Sequence, residues 1–88
     1  MYRFKPSSKF IKQYKKLNQK EKEITKKIIN KLLNDEILES KYKDHKLIGK
    51  YAGFRECHIK PDLLLIYKKE NNALILVCIA IGSHSDLF

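Results

Sequence analysis

The chain has 88 residues, with 19 Lys+Arg against 10 Asp+Glu, a formal net charge of +9 and 43% apolar residues. That length predicts a single domain, residues 1–88, burying roughly 60% of its unfolded surface, and the apolar share argues against a disordered basic tail. Leu63–Tyr67 and Ala73–Ile81, the longest apolar runs, fall short of the roughly 20 residues of a membrane span, and Met1–Lys5 has no apolar signal-peptide core, which excludes a membrane protein, a multi-domain enzyme and a secreted disulfide scaffold and predicts a cytoplasmic chain.

Tyr2-Arg3-Phe4-Lys5 alternates and runs into Pro6, which predicts a short edge strand. Ser7 and Ser8 are N-cap residues, and Phe10, Ile11, Tyr14 and Leu17 then recur at helical spacing. Asn18 with Glu21 three residues on is the signal of a capping box. It opens a second helix whose apolar face is Ile24, Ile28, Ile29, Leu32 and Leu33. The two helices form a hairpin whose buried stripe needs a sheet to cover. From about Asn34 to Lys50 periodicity is lost, predicting a loop with at most a helical turn. Gly53–Ile59, Leu63–Lys69 and Leu74–Ile81 then read as strands joined by Lys60-Pro61-Asp62 and Glu70-Asn71-Asn72-Ala73. Such short connections make antiparallel hairpins. In the last strand, Ile75, Val77, Ile79 and Ile81 are expected under the helices, with Leu74, Leu76, Cys78 and Ala80 on the other face. The predicted fold is α+β, in the order β-α-α-β-β-β: a small antiparallel sheet with a basic two-helix hairpin on one face.

The charge is confined. Residues 1–31 hold 11 Lys/Arg and two acids, and residues 32–88 hold eight of each, so the first third carries the whole +9. Lys9, Lys12, Lys15, Lys16, Lys20, Lys22, Lys26 and Lys27 on the helices therefore mark a surface for a polyanion, nucleic acid before membrane. Cys57 and Cys78 fall inside predicted strands without CxxC spacing and read as reduced, packed thiols.

His45, His58 and His84 lie outside the helices, and Asp62 follows His58 across a Pro turn. If the meander forms, these residues meet at one end of the sheet, a set suited to proton transfer near neutrality. Three histidines, Asp62 and Cys57 are also zinc-type donors, but no HxxxH or CxxC spacing supports a metal site.

Tyr42-Lys43-Asp44-His45 with Leu47-x-Gly49, then Phe54-Arg55-Glu56-Cys57-His58-Ile59-Lys60-Pro61-Asp62, Leu65-Ile66-Tyr67 and Gly82-Ser83-His84-Ser85-Asp86-Leu87-Phe88 resemble the YafQ-like branch of the RelE/ParE toxin superfamily. The resemblance covers the C-terminal half in motif and the whole chain in element order. It implies a type II toxin: a ribosome-dependent mRNA endonuclease in which a ribose 2′-hydroxyl attacks the adjacent phosphate, with no metal or cofactor. By similarity His45, His58 and Asp62 match positions that orient or deprotonate the nucleophile, with the choice of base open among them. His84 matches the general acid, and Phe88 an aromatic that holds a nucleotide. The implied partners are the ribosome, mRNA and a cognate acidic antitoxin, with operator DNA reached only through the antitoxin complex.

One position departs from the pattern. Two residues before Gly82 the family usually has arginine, and here stands Ala80. A guanidinium suits a phosphorane because its planar fork donates two charge-assisted hydrogen bonds; losing one such donor costs on the order of 2.7–4 kcal/mol in comparable sites. Three readings stand: another cation serves (Lys50, Arg55 and Lys60 are nearest in sequence), alanine was introduced to silence the protein, or this branch has given up cleavage. Alanine's use as a truncating substitution favours the second. Leu63, where relatives carry an aromatic, is a milder departure. Two other classes fit the same fold and charge: a ParE-like gyrase inhibitor without catalysis, and a non-catalytic basic RNA-binding module.

Overall fold

A computed structural model describes all 88 residues as β1 (Arg3–Pro6), α1 (Ser8–Lys15), α2 (Gln19–Leu33), β2 (His45–Lys46), β3 (Arg55–Lys60), β4 (Leu63–Glu70), β5 (Ile75–Gly82) and α3 (His84–Leu87), with 3-10 turns at Ser40–Tyr42 and Gly49–Tyr51. The helices begin where their caps place them. Ser7 Oγ accepts from the Phe10 amide at 3.0 Å. Asn18 and Glu21 form a reciprocal capping box, each side chain accepting from the other's backbone N–H.

The sheet has five strands in the order β1-β5-β4-β3-β2. β2 to β5 are antiparallel, as the hairpin signals require, but β1 pairs with β5 in parallel. The expected purely antiparallel sheet is thus corrected at one edge. Strand direction between elements 70 residues apart is set by the helical crossover, not by any local turn. Pro6 closes β1 on that edge, where a missing N–H breaks no ladder.

Two apolar layers sandwich the sheet. Under the helices, Phe10, Ile28, Ile29 and Leu32 meet Cys57, Leu65, Tyr67, Leu76, Cys78 and Ile81. On the other face a smaller cluster joins Leu64, Ile66, Ala80 and Leu87. β4 is central, so Leu63–Tyr67 is buried on both faces. The register of β5 contains a surprise: Ala80 pairs with Ile66 and Cys78 with Tyr67, which leaves Ile79 as an extra residue. Before this bulge Leu76 and Cys78 face the helices, and after it Ile81 does. The expected helix-facing set of Ile75, Val77, Ile79 and Ile81 is therefore corrected to Leu76, Cys78 and Ile81, because one inserted residue reverses the alternation.

The predicted loop 34–50 also carries more structure than expected. Leu38 and Tyr42 anchor it in the main core, and His45 lies on a two-residue strand paired with Glu56 and Arg55 of β3. The short α3 after β5 was not anticipated. No helix is long and apolar enough to cross a membrane.

Candidate active site

The face turned away from α1 and α2 gathers the ionisable residues. Cys57 of β3 points into the helix-side core, so its neighbours Glu56 and His58 project from the opposite face. His45 pairs directly with Glu56 across the β2–β3 ladder. Glu56 Oε1 lies 3.6 Å from His45 Nε2 and 3.5 Å from His58 Nε2, and the Glu56 residue is only 5% exposed. At these separations the carboxylate is within ion-pair range of both rings but slightly beyond a direct hydrogen bond. His45 Nδ1 lies 2.7 Å from the Lys43 carbonyl. A carbonyl only accepts, so Nδ1 carries the proton and the neutral ring keeps its free lone pair on Nε2, facing Glu56.

His84 arrives from the other side. Ser83 caps α3 and forms a second capping box with Asp86, which sets His84 at the first helical position. The closeness of this turn explains Gly82: a Cβ there would meet Asp86 Cβ at 3.0 Å. His84 Nδ1 lies 3.7 Å from Asp62 Oδ1 in the β3–β4 turn. His58 sits between the two ends, its ring 6.4 Å from that of His45 and 6.2 Å from that of His84. The four residues picked from the sequence thus form one row, His45–His58–His84–Asp62. Phe88 closes it, its ring 6.2 Å from His84 and edge-on to Tyr51 at 5.4 Å.

Ala80 lies on this same face, 2% exposed among Leu64, Ile66 and Leu87. Of the three nearby cations, two are engaged elsewhere. Arg55 Nε donates to Asp44 Oδ1 at 3.2 Å on the helix-facing side of β3, and Lys60 Nζ donates to Glu21 Oε2 at 2.8 Å. Lys50 has no acidic partner and rests over the Tyr51 ring at 5.4 Å, next to Phe88. Asp44 also accepts from Tyr67 Oη at 2.6 Å; burial first, then this bond to a carboxylate, pushes the Tyr67 phenol well up. Burial alone would lower Arg55, but the hydrogen bond to the Asp44 carboxylate, with the Tyr67 phenol beside it, outweighs that. The Asp44–Arg55–Tyr67 cluster fixes the residue before His45 and so aims the histidine.

Glu56, Tyr51 and Asp44 join the site without belonging to the set expected from the sequence. Glu56 had one available signal, its two-residue spacing from His58 on a strand, which puts both on one face. Tyr51 lies between Gly49 and Gly53, both at positive φ; that pair of glycines marks the turn that presents it. Among the eight lysines of the α1–α2 hairpin, none has a carboxylate within salt-bridge distance, and all except the half-buried Lys22 are exposed.

A family model for the bacterial toxin of the type II toxin–antitoxin system, YafQ, matches residues 2–88. The chain belongs to the YafQ toxin family. The mRNA interferase toxin YafQ of Escherichia coli K12 is 33% identical over 85 residues, 93% of this chain and 90% of that one. A metal-bound toxin from Helicobacter pylori has 39% identity over the full length of both chains, with a TM-score of 0.88. YafQ in the E. coli DinJ-YafQ complex has 29% identity and a TM-score of 0.84, covering 100% of this chain and 99% of that one. In this YafQ-family chain no group of three or more His, Cys, Asp or Glu side chains is arranged to hold a metal ion.

Proposed function

We propose that this YafQ-family toxin is a cytoplasmic endoribonuclease that cleaves ribosome-bound mRNA by attack of a 2′-hydroxyl on the neighbouring phosphate. The observation that carries the reading is the row of three imidazoles with a carboxylate beside each end. His45 Nε2 accepts the hydroxyl proton, and Glu56 faces the imidazolium that results. His84 protonates the departing 5′-oxygen, with Asp62 holding its ring. His58, between them, donates to the phosphate, and Phe88 with Tyr51 forms an aromatic wall for a base. The exposed helical lysines dock on ribosomal RNA phosphates, with a neutralising acidic antitoxin as the other partner; an E. coli relative is seen with DinJ. Lys50 is the remaining cation beside the site, and without a guanidinium at position 80 the reaction runs slowly.

The test is cleavage-site mapping on a reporter mRNA in a purified translation system, with the unaltered chain, Ala80→Arg, and His84→Ala in each background. Cuts that strengthen with Ala80→Arg and vanish with His84→Ala support the mechanism. Intact mRNA with Ala80→Arg, or cleavage indifferent to His84, sinks it. Inhibition of supercoiling with RNA left whole would favour a gyrase inhibitor instead.

A further inference from the structure

Beside the imidazole row runs a cleft of about 510 Å³ between α2, the Ser40–Tyr42 turn and the β3–β4 turn. Lys27, Lys41, Lys43 and Lys60 line it together with Tyr42 and His58, and no carboxylate does. Lys27 and Lys43 have no acid within salt-bridge distance; Lys41 is 4.0 Å from Glu39 and stands over the Tyr42 ring at 5.1 Å, and Lys60 is held by Glu21. The charge of the wall is therefore positive and incompletely balanced. His58 belongs to both places: it lines the cleft and also lies 3.5 Å from Glu56 in the proton-transfer row.

We propose that this cleft binds the phosphate backbone of single-stranded RNA, continuing the path of the substrate strand beyond the bond that is cut. The inference rests on the endoribonuclease reading and deepens it by naming a backbone subsite. A polymeric substrate must leave the site at both ends, and His58 is the residue that the row and the cleft lining share. Its chemistry is that of a phosphate track: two unpaired cations, Lys27 and Lys43, beside an aromatic residue, with no carboxylate in the lining. Lys43 ties the track to the reaction. Its backbone is left-handed, with φ of 49°, and its carbonyl is the one that holds the Nδ1 proton of His45. A phosphate drawn to the Lys43 side chain therefore loads the same residue that orients the proposed base.

The experiment measures binding of a fully 2′-O-methylated RNA oligonucleotide, which cannot be cut, to the unaltered chain across a salt series. The variant Lys27→Gln/Lys43→Asn, with asparagine chosen because it tolerates left-handed backbone, is compared with Lys9→Gln/Lys12→Gln, an equal charge change on α1. Thermal melts verify that both variants fold. The cleft variant should lose about 0.7 from the log–log salt slope per lysine removed and bind several-fold more weakly than the α1 variant. Equal losses in the two variants, no binding by the unaltered chain, or a cleft that takes an acidic peptide while RNA affinity is unchanged would each overturn the proposal. Because the probe is uncleavable, the result is independent of whether mRNA is cut, so failure of the nuclease reading shows up separately in the cleavage assay.

Discussion

Glu56 and His58, two residues apart on β3, place a carboxylate oxygen 3.5 Å from an imidazole Nε2 on one face of the sheet. Strand alternation brings them together, and the β2 pairing adds His45 on the far side of the same oxygen. Removing the carboxylate should therefore slow turnover more than it weakens binding. In the Ala80→Arg background, His58→Ala is expected to lower kcat by about 10²–10⁴-fold. Glu56→Gln should give a smaller drop in kcat with KM nearly unchanged, and Glu56→Asp should recover part of it. A Glu56→Gln variant with kcat unchanged in that background would show that the carboxylate plays no part.

Ala80 sits where a long side chain would both help and disturb. A guanidinium on this face is expected to raise the cleavage rate about a hundred- to a thousand-fold. The same change pushes into the cluster of Leu64, Ile66 and Leu87, and overpacking of this kind costs about 1–3 kcal/mol. Ala80→Arg should thus be faster and less stable at once, read by cleavage kinetics and by denaturant titration of one preparation.

The two thiols should be silent in the folded chain. Cys57 and Cys78 are both fully buried, and burial pushes Cys78 up to about 12 and Cys57 higher still. Thiolate is the reactive form, so labelling by a thiol reagent at mildly alkaline pH should be slow natively and rapid for both residues in denaturant. Fast labelling of either in buffer would contradict the burial.

Acid should loosen the start of α2. The Lys60 hydrogen bond and then the Asn18 backbone N–H hold Glu21 below its ordinary value of 4.5. A carboxyl lowered in the folded state contributes stability above its unfolded value and loses it as pH falls through the folded one. The melting-temperature gap between the unaltered chain and Glu21→Gln should therefore be widest near neutrality and close in acid. Asn18→Ala, which removes the other half of the cap, should cost about 1 kcal/mol.

What could be read from the chain was local. Ser7, and Asn18 with Glu21, announce the helix starts because capping is a bond between near neighbours. Pro61-Asp62 and Asn71-Asn72 announce the hairpins for the same reason. The meeting of His58, His84 and Asp62 at one end of the sheet follows once those hairpins form. The parallel direction of β1, the pairing of His45 on β2 and the packing of Leu87 over Ala80 depend on contacts between distant segments, which no short pattern encodes. The bulge at Ile79 is the sharpest case, since every residue in that strand is apolar or small and a run of such residues carries no alternation to betray a change of phase. For Glu56 the spacing to His58 was legible, but the contact with His45 across the sheet was not.

The unpaired lysines of α1 and α2 leave the folded molecule under electrostatic tension, since like charges on adjoining turns repel and nothing in the chain neutralises them. Added salt relieves that repulsion while it weakens attachment to a polyanion, so folding stability should rise with ionic strength as RNA affinity falls. An acidic protein bound along these helices does what salt does without weakening its own hold. Such a partner would serve as a folding aid as well as a restraint, and the free toxin, released from it, would be the more fragile species.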